Sequence, residues 1–260
     1  MWRPDGWEVR VRVGVLTPHA DVGPESEFRA MAPPDVGVHA ARVPFGAMRS
    51  GGAMDATIPL APVRAFAGPP HVDEAAAQLA AAPLAAIGYA FTSSAYVIGA
   101  DGEAAMLTRL AARADGLPVV ATCASTVEAL RLLGATRICL VDPPWFDQEL
   151  NDLGRAYYEA AGFDVRFSAP CALPSGQSLI RPRELHDWVA AHNPEETEAV
   201  VVGGNGFRAV GMVERLESTL GRPVLTANQV LLWAVLRAAD SHTEAITGYG
   251  RLFALDTPAL

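Results

Sequence analysis

The sequence predicts an α/β protein of two pseudo-symmetric, Rossmann-like lobes, each built on a parallel four-stranded sheet, with a site between them. Two observations carry this. Short Val/Ile-rich runs bounded by Gly and Pro alternate with Ala/Leu-rich amphipathic stretches, the pattern of βα units on buried parallel sheets. The series of runs then repeats itself in the second half of the chain. At 260 residues, 50% hydrophobic and 19% charged, the chain has ample apolar material for two cores and too little charge for disorder.

In chain order, strands are expected at 11–16, 36–43, 84–91, 118–122, 137–141, 163–167, 199–203 and 223–226. Helices are expected at 73–81, 102–114, 125–133, 146–161, 183–192, 210–220 and 229–239. The repeat ties these together. Val13-Gly14-Val15-Leu16-Thr17-Pro18 matches Ile138-Cys139-Leu140-Val141-Asp142-Pro143, and the strand ending Ala90-Phe91-Thr92-Ser93 matches the one ending Gly203-Gly204-Asn205-Gly206. Gly116-Leu117-Pro118-Val119-Val120-Ala121-Thr122-Cys123 matches Gly221-Arg222-Pro223-Val224-Leu225-Thr226-Ala227-Asn228. The expected division is a first lobe of residues 1–117 plus 225–260 and a second lobe of 118–224, with the helix at 229–239 packing back on the first. Ligands of open parallel sheets sit outside the carboxyl ends of the strands. The site should therefore be assembled from the loops beginning at Thr17, Phe91, Thr122, Asp142, Gly203 and Thr226.

Composition removes several functions. The net charge of −9 disfavours polynucleotides. No apolar run reaches the ~18 residues of a membrane span, and Met1-Trp2-Arg3-Pro4-Asp5 is no signal peptide, so a cytoplasmic location is expected. All 20 basic residues are arginine, which removes Schiff-base chemistry, pyridoxal phosphate and the lysine-bearing phosphate loop. Cys123, Cys139 and Cys171 are too few and scattered for a disulfide framework or a Cys-rich zinc site.

The pairing of Val13-Gly14-Val15-Leu16-Thr17-Pro18 with Gly88-Tyr89-Ala90-Phe91-Thr92-Ser93 resembles the aspartate/glutamate racemase superfamily. The stretches 134–141 and 220–229 are similar to its maleate cis-trans isomerase and arylmalonate decarboxylase branch. The resemblance implies two α/β lobes, no cofactor, and carbanion or enediolate chemistry on small carboxylic acids. It also marks departures. The family's two cysteine positions fall at Phe91 and Gly204, so a two-thiol mechanism is excluded, and a substrate-holding tyrosine falls at or beside Trp145. Thr92-Ser93 resembles the family's cradle for a carboxylate or enolate oxygen, and Gly203-Gly204-Asn205-Gly206 keeps a tight, donor-rich turn.

Candidate residues follow. His19, after Pro18 at the end of the first strand, is the expected proton-transfer group, with Asp21 or Glu25 as its partner; the alternative is a polar loop capping a helix. Thr92, Ser93 and Ser94 offer hydroxyls and free N–H groups to an oxyanion, or simply cap their helix. Cys123 at a strand-to-helix turn is either an activated thiol or a small half-buried residue. Asn228 holds the matching place in the second copy, and Phe91 and Trp145 narrow the pocket. Substrate contacts are expected from Pro18, Phe91, Thr92, Ser93, Trp145, Gly204, Asn205 and Asn228, and a metal is not expected. Arg42 and Arg208 can meet an acid or remain solvated, and the remaining histidines default to structural or surface roles. The expected activity is that of a cofactor-independent isomerase or lyase acting on a small carboxylic acid or related carbonyl compound. A hydrolase of a small ester, lactone or amide, or a non-catalytic acid binder, are the alternatives, and self-association stays open.

Overall fold

The computed structural model describes residues 5–255; Met1–Pro4 of the opening stretch and residues 256–260 of the expected first lobe lie outside it. Two four-stranded sheets, every pairing parallel, have the same strand order. The first runs β2(Val36–Val43), β1(Val11–Pro18), β3(Ala86–Tyr89), β4(Val119–Ala121). The second runs β6(Asp164–Pro170), β5(Arg137–Asp142), β7(Ala199–Val202), β8(Val224–Thr226). The eight apolar runs of the sequence are these eight strands. Their central members are buried along almost their whole length, as sheets covered on both faces require.

The helices α1(Gly23–Met31), α2(Leu60–Ala67), α3(His71–Ala80), α4(Thr92–Arg113) and α5(Thr122–Leu132) belong to the first half of the chain; α6(Gln148–Ala160), α7(Pro182–His192), α8(Val213–Leu220) and α9(Ala227–Ala238) to the second. Two of these, α1 and α2, stand where the sequence reading places none, and α4 begins ten residues earlier than expected. The early start is hidden by Gly99, whose positive φ of 70° kinks α4 and interrupts its periodicity.

The expected boundary at 117/118 falls just before β4, which bonds to β3; β8, assigned there to the first lobe from residue 225, bonds to β7. The sheets therefore exchange at residues 121 and 226, because Gly-x-Pro introduces a strand that completes the sheet before it. The chain then crosses back. Buried from Ala227 to Leu236, α9 packs on β3, β4 and α5 of the first lobe, with Gly88 of β3 leaving just enough room for Leu231. Opposite it, α4 and α6 join the lobes where Gly154 admits the Tyr96 ring; a Cβ there would lie 2.5 Å from it. Among the described residues no helix is long and apolar enough to cross a membrane.

Candidate active site

The strand ends of the two sheets face each other around a cavity of about 30 Å³, room for little more than a water molecule. Pro18 ends β1 and Asp21 follows it, Phe45 follows β2, Phe91–Ser93 follow β3, Trp145 and Phe146 follow β5, and Gly204–Gly206 follow β7. Gln177 reaches in from the loop after β6, and Met48, Met54 and Ile58 close one side.

One wall is aromatic. Phe91 meets Phe45 edge-on with centroids 4.8 Å apart and lies 4.1 Å from Phe66. Trp145 makes an edge contact with Phe207 at 5.8 Å, and its carbonyl accepts the Ile58 N–H at 3.0 Å. Phe91 and Trp145 from these ring clusters make part of the cavity lining apolar.

The floor is a polar network centred on Asn205. Its Oδ1 accepts from the N–H and the hydroxyl of Thr92, each at 2.8 Å, while its Nδ2 donates to Thr122 Oγ1 at 3.0 Å and Asn228 Oδ1 at 2.9 Å. Asn228 Nδ2 donates in turn to the Asn205 carbonyl and to Glu27 Oε2, both at 2.8 Å. The other Glu27 oxygen accepts from the Ala209 and Val210 N–H groups. Thr92 is thereby consumed in joining the lobes. Ser93 differs: it is buried against the cavity, its hydroxyl has no hydrogen-bond partner among the described residues, and its N–H lies in the first turn of α4, where no helical acceptor exists.

Asp21 is the acid of the cavity. It is 3% exposed, Oδ1 accepts the Gly23 N–H at 2.8 Å, and the Gln177 amide bonds to the carboxylate. Burial raises its pKa to about 6 against the pull of these donors and of Arg42, so it exchanges a proton near neutral pH. Two further acids are pushed up to about 7, again chiefly by burial: Glu27, and Asp142 at the end of β5, bonded by Tyr96 and Asn151.

The structure thus brings together Pro18, Asp21, Phe91, Thr92, Ser93, Trp145, Gly204 and Asn205, and sets Asn228 one shell behind. It does not bring in His19. That ring is exposed on a separate cleft, its Nδ1 accepting the Phe45 N–H at 3.1 Å, because the His19 N–H extends the β1–β2 pairing to Val43 and turns the side chain outward. Glu25 is also outside, held by Arg42 at 2.6 Å and Arg29 at 2.8 Å. Cys123 is fully buried behind Thr92, and burial beside Glu103 pushes its thiol well above the usual range; desolvation there overrides the helix terminus expected to activate it. Arg208 lies on the same outer cleft as His19.

Sequence reasoning missed Gln177, in a Pro/Gly/Ser loop without periodicity, and Glu27. A signal for Glu27 existed: it shares a helical stripe with Pro24, Phe28 and Met31, all buried. Gly204 has a φ of +83° and lies against the Pro143 ring, so no side chain fits there. Among the described residues no group of three or more His, Cys, Asp or Glu is placed to hold a metal ion.

A family model described as arylmalonate decarboxylase matches residues 69–253. A maleate isomerase of Pseudomonas putida is 27% identical over 236 residues, covering 88% of this chain and 92% of that one. The arylmalonate decarboxylase of Bordetella bronchiseptica is 24% identical over 166 residues, 62% of this chain and 68% of that one. Among solved structures, the maleate isomerase Iso from Pseudomonas putida S16 matches with a TM-score of 0.81, at 21% identity, over 94% of this chain and 98% of that one. A Nocardia farcinica maleate cis-trans isomerase carrying a covalently bound succinylcysteine intermediate matches at 0.80, with 24% identity, over 95% and 99%. The folds are the same.

Proposed function

The chain belongs to the arylmalonate decarboxylase family and is an enzyme of the isomerase and lyase type, and on that premise we propose that it acts on a small carboxylic acid by proton transfer, without a cofactor and without a thiol. The observation that carries the reading is Asp21, a buried carboxyl poised near pH 6 in the cavity where the strand ends meet. In the Nocardia relative a cysteine bonds covalently to a succinyl group. Here the family's thiol positions, in the register of the resemblance, hold Phe91 and Gly204, and the buried Cys123 does not line the cavity and has its thiol pKa raised by burial, which weighs against covalent chemistry on sulfur.

In this reading the Ser93 hydroxyl and N–H meet a substrate carboxylate or developing enolate oxygen, helped by the positive end of α4. Asp21 takes up or delivers the proton at carbon, Gln177 fixes its orientation, and the aromatic wall keeps water from competing. At about 30 Å³ the cavity must widen to admit an acid, and the movable parts are the unbranched side chains of Met48, Met54 and Gln177. His19 on its separate cleft leaves Ser93 without a Ser–His base, which weighs against hydrolysis.

The test is incubation of the purified protein in D2O with malonates, maleates and related small acids. NMR reads isomerisation, loss of CO2 and deuterium at the α-carbon, and melting curves read binding. Turnover or exchange with one of these acids supports the reading. A melting shift without either is the signature of a small-acid binder; no shift and no turnover with any acid refutes both.

A further inference from the structure

Outside the small cavity, on the far side of Asp21, lies a second interlobe cleft of about 860 Å³. Gln177 and Gly206 line both spaces, and the Gln177 amide lies against Gly206 while bonding Asp21, so the Gln177 side chain stands at their shared boundary. A volume of this size suits a drug-sized organic molecule and is far more than a three- or four-carbon acid fills. Its walls are largely apolar or small: Val22 and Ala30 from the first lobe, Pro182 and Val210 from the second, with Tyr249 also lining it. Among the described residues only four large hydrophobic side chains are strongly exposed; Val22 is in this cleft and Leu179 adjoins its Ser178. The charge is ordered too. The one acid lining the cleft, Glu27, is saturated by Asn228 and two backbone N–H groups, whereas Arg208 has no ion-pair or hydrogen-bond partner among the described residues. His19 presents its free Nε2 to the same space, since Nδ1 is engaged by Phe45.

We propose that this cleft is a second substrate subsite, and that the substrate class is an elongated organic acid: its reacting carboxyl end passes Gln177 into the inner cavity, its apolar body lies on the cleft wall, and a remote anionic group is met by Arg208 and His19. The proposal rests on the reading of the inner cavity as the acid site. It also explains why an enzyme with so small an inner cavity keeps an open, partly apolar cleft beside it. A guanidinium facing a distal carboxylate supplies a charge-assisted contact that a short acid does not reach.

The test is calorimetric binding of α,ω-dicarboxylates from three to twelve carbons to the wild-type chain and to S26W, A30W and R208Q, with folding checked by melting curves. Ser26 and Ala30 are exposed on the cleft wall and take no part in the inner site. The longer diacids should bind at least ten-fold more tightly than malonate and maleate. S26W or A30W should erase that advantage without weakening the short acids, and R208Q should reduce it about ten-fold. Equal affinity at all lengths, or an advantage that survives both tryptophans, overturns the subsite and leaves the inner site standing. Tight binding of long diacids by a protein that turns over none of the malonates, maleates and related small acids keeps the subsite and refutes the proton-transfer reading of the inner cavity. Failure of every acid to bind overturns both.

Discussion

The two lobes start from one plan and finish differently at the strand ends. After β3, Phe91 supplies bulk and Thr92-Ser93 open a 22-residue helix. At the matching place after β7, Gly203-Gly204-Asn205-Gly206 form a tight turn in which Gly204 takes a φ of +83°. After β1 the chain buries Asp21; after β5 the corresponding loop places Trp145 and Phe146. Symmetry fixes where the loops meet, and asymmetry divides the work among them. The first lobe brings the acid and the hydroxyl; the second brings the amide of Asn205 and an aromatic lid. A site between two copies of a fold can thus hold an asymmetric polar centre, because each copy is free to change its own loops.

The largest break in this division should come from the acid. Asp21→Asn keeps the Gly23 contact but removes the exchangeable proton, so turnover should fall ~10²–10⁴-fold with little change in melting temperature. The matching change on the other side, Asp142→Asn, should leave turnover within a few-fold, since Asp142 does not line the cavity.

Asn205 is the second lobe's contribution to the joint. Asn205→Ala strands Thr92, Thr122 and Asn228 in a buried setting and should destabilise by about 2–4 kcal/mol in a denaturant titration. Thr92→Val, which removes one partner from the first lobe, should cost only about 1–2 kcal/mol.

Acidity offers a third test. Asp21, Glu27 and Asp142 have folded-state pKa values raised to about 6, 7 and 7. Groups raised on folding give stability that is fully present below their unfolded values and is lost as pH rises through the folded ones. The melting temperature should therefore decline between about pH 4 and pH 7. Asp142→Asn should flatten part of that decline. A flat or rising profile would contradict the buried-acid assignment.

Much of this was legible in the residues. The alternation of apolar runs marks all eight strands, and the internal repeat marks the two sheets with equal strand order. Helices that begin directly at a strand end, as at Thr92, Thr122 and Ala227, blur into the apolar run before them, and α1 is short and hides Glu27 among its buried residues. At the site, Thr92, Ser93 and Asn205 stand out as polar residues ending buried strands. Which of His19 and Asp21 faces the inner cavity was not legible, because it depends on which way a loop turns after Pro18. One backbone bond, from the His19 N–H to Val43, continues the strand pairing and sends the imidazole outward. Burial then gives Asp21, two residues on, the proton affinity that its residue type alone does not have.

The smallest expected effect belongs to the remaining thiol, and pairing it with the largest tests the central claim most directly. The measurement is the turnover of one accepted small acid by Asp21→Asn and by Cys123→Ser, across pH 5 to 8, each variant confirmed to melt as the wild type does. Cys123→Ser should stay within two- to three-fold of the wild type, and Asp21→Asn should lose at least ~100-fold together with the inflection near pH 6. A dead Cys123→Ser enzyme beside a fully active Asp21→Asn enzyme would contradict the account and place the chemistry on sulfur.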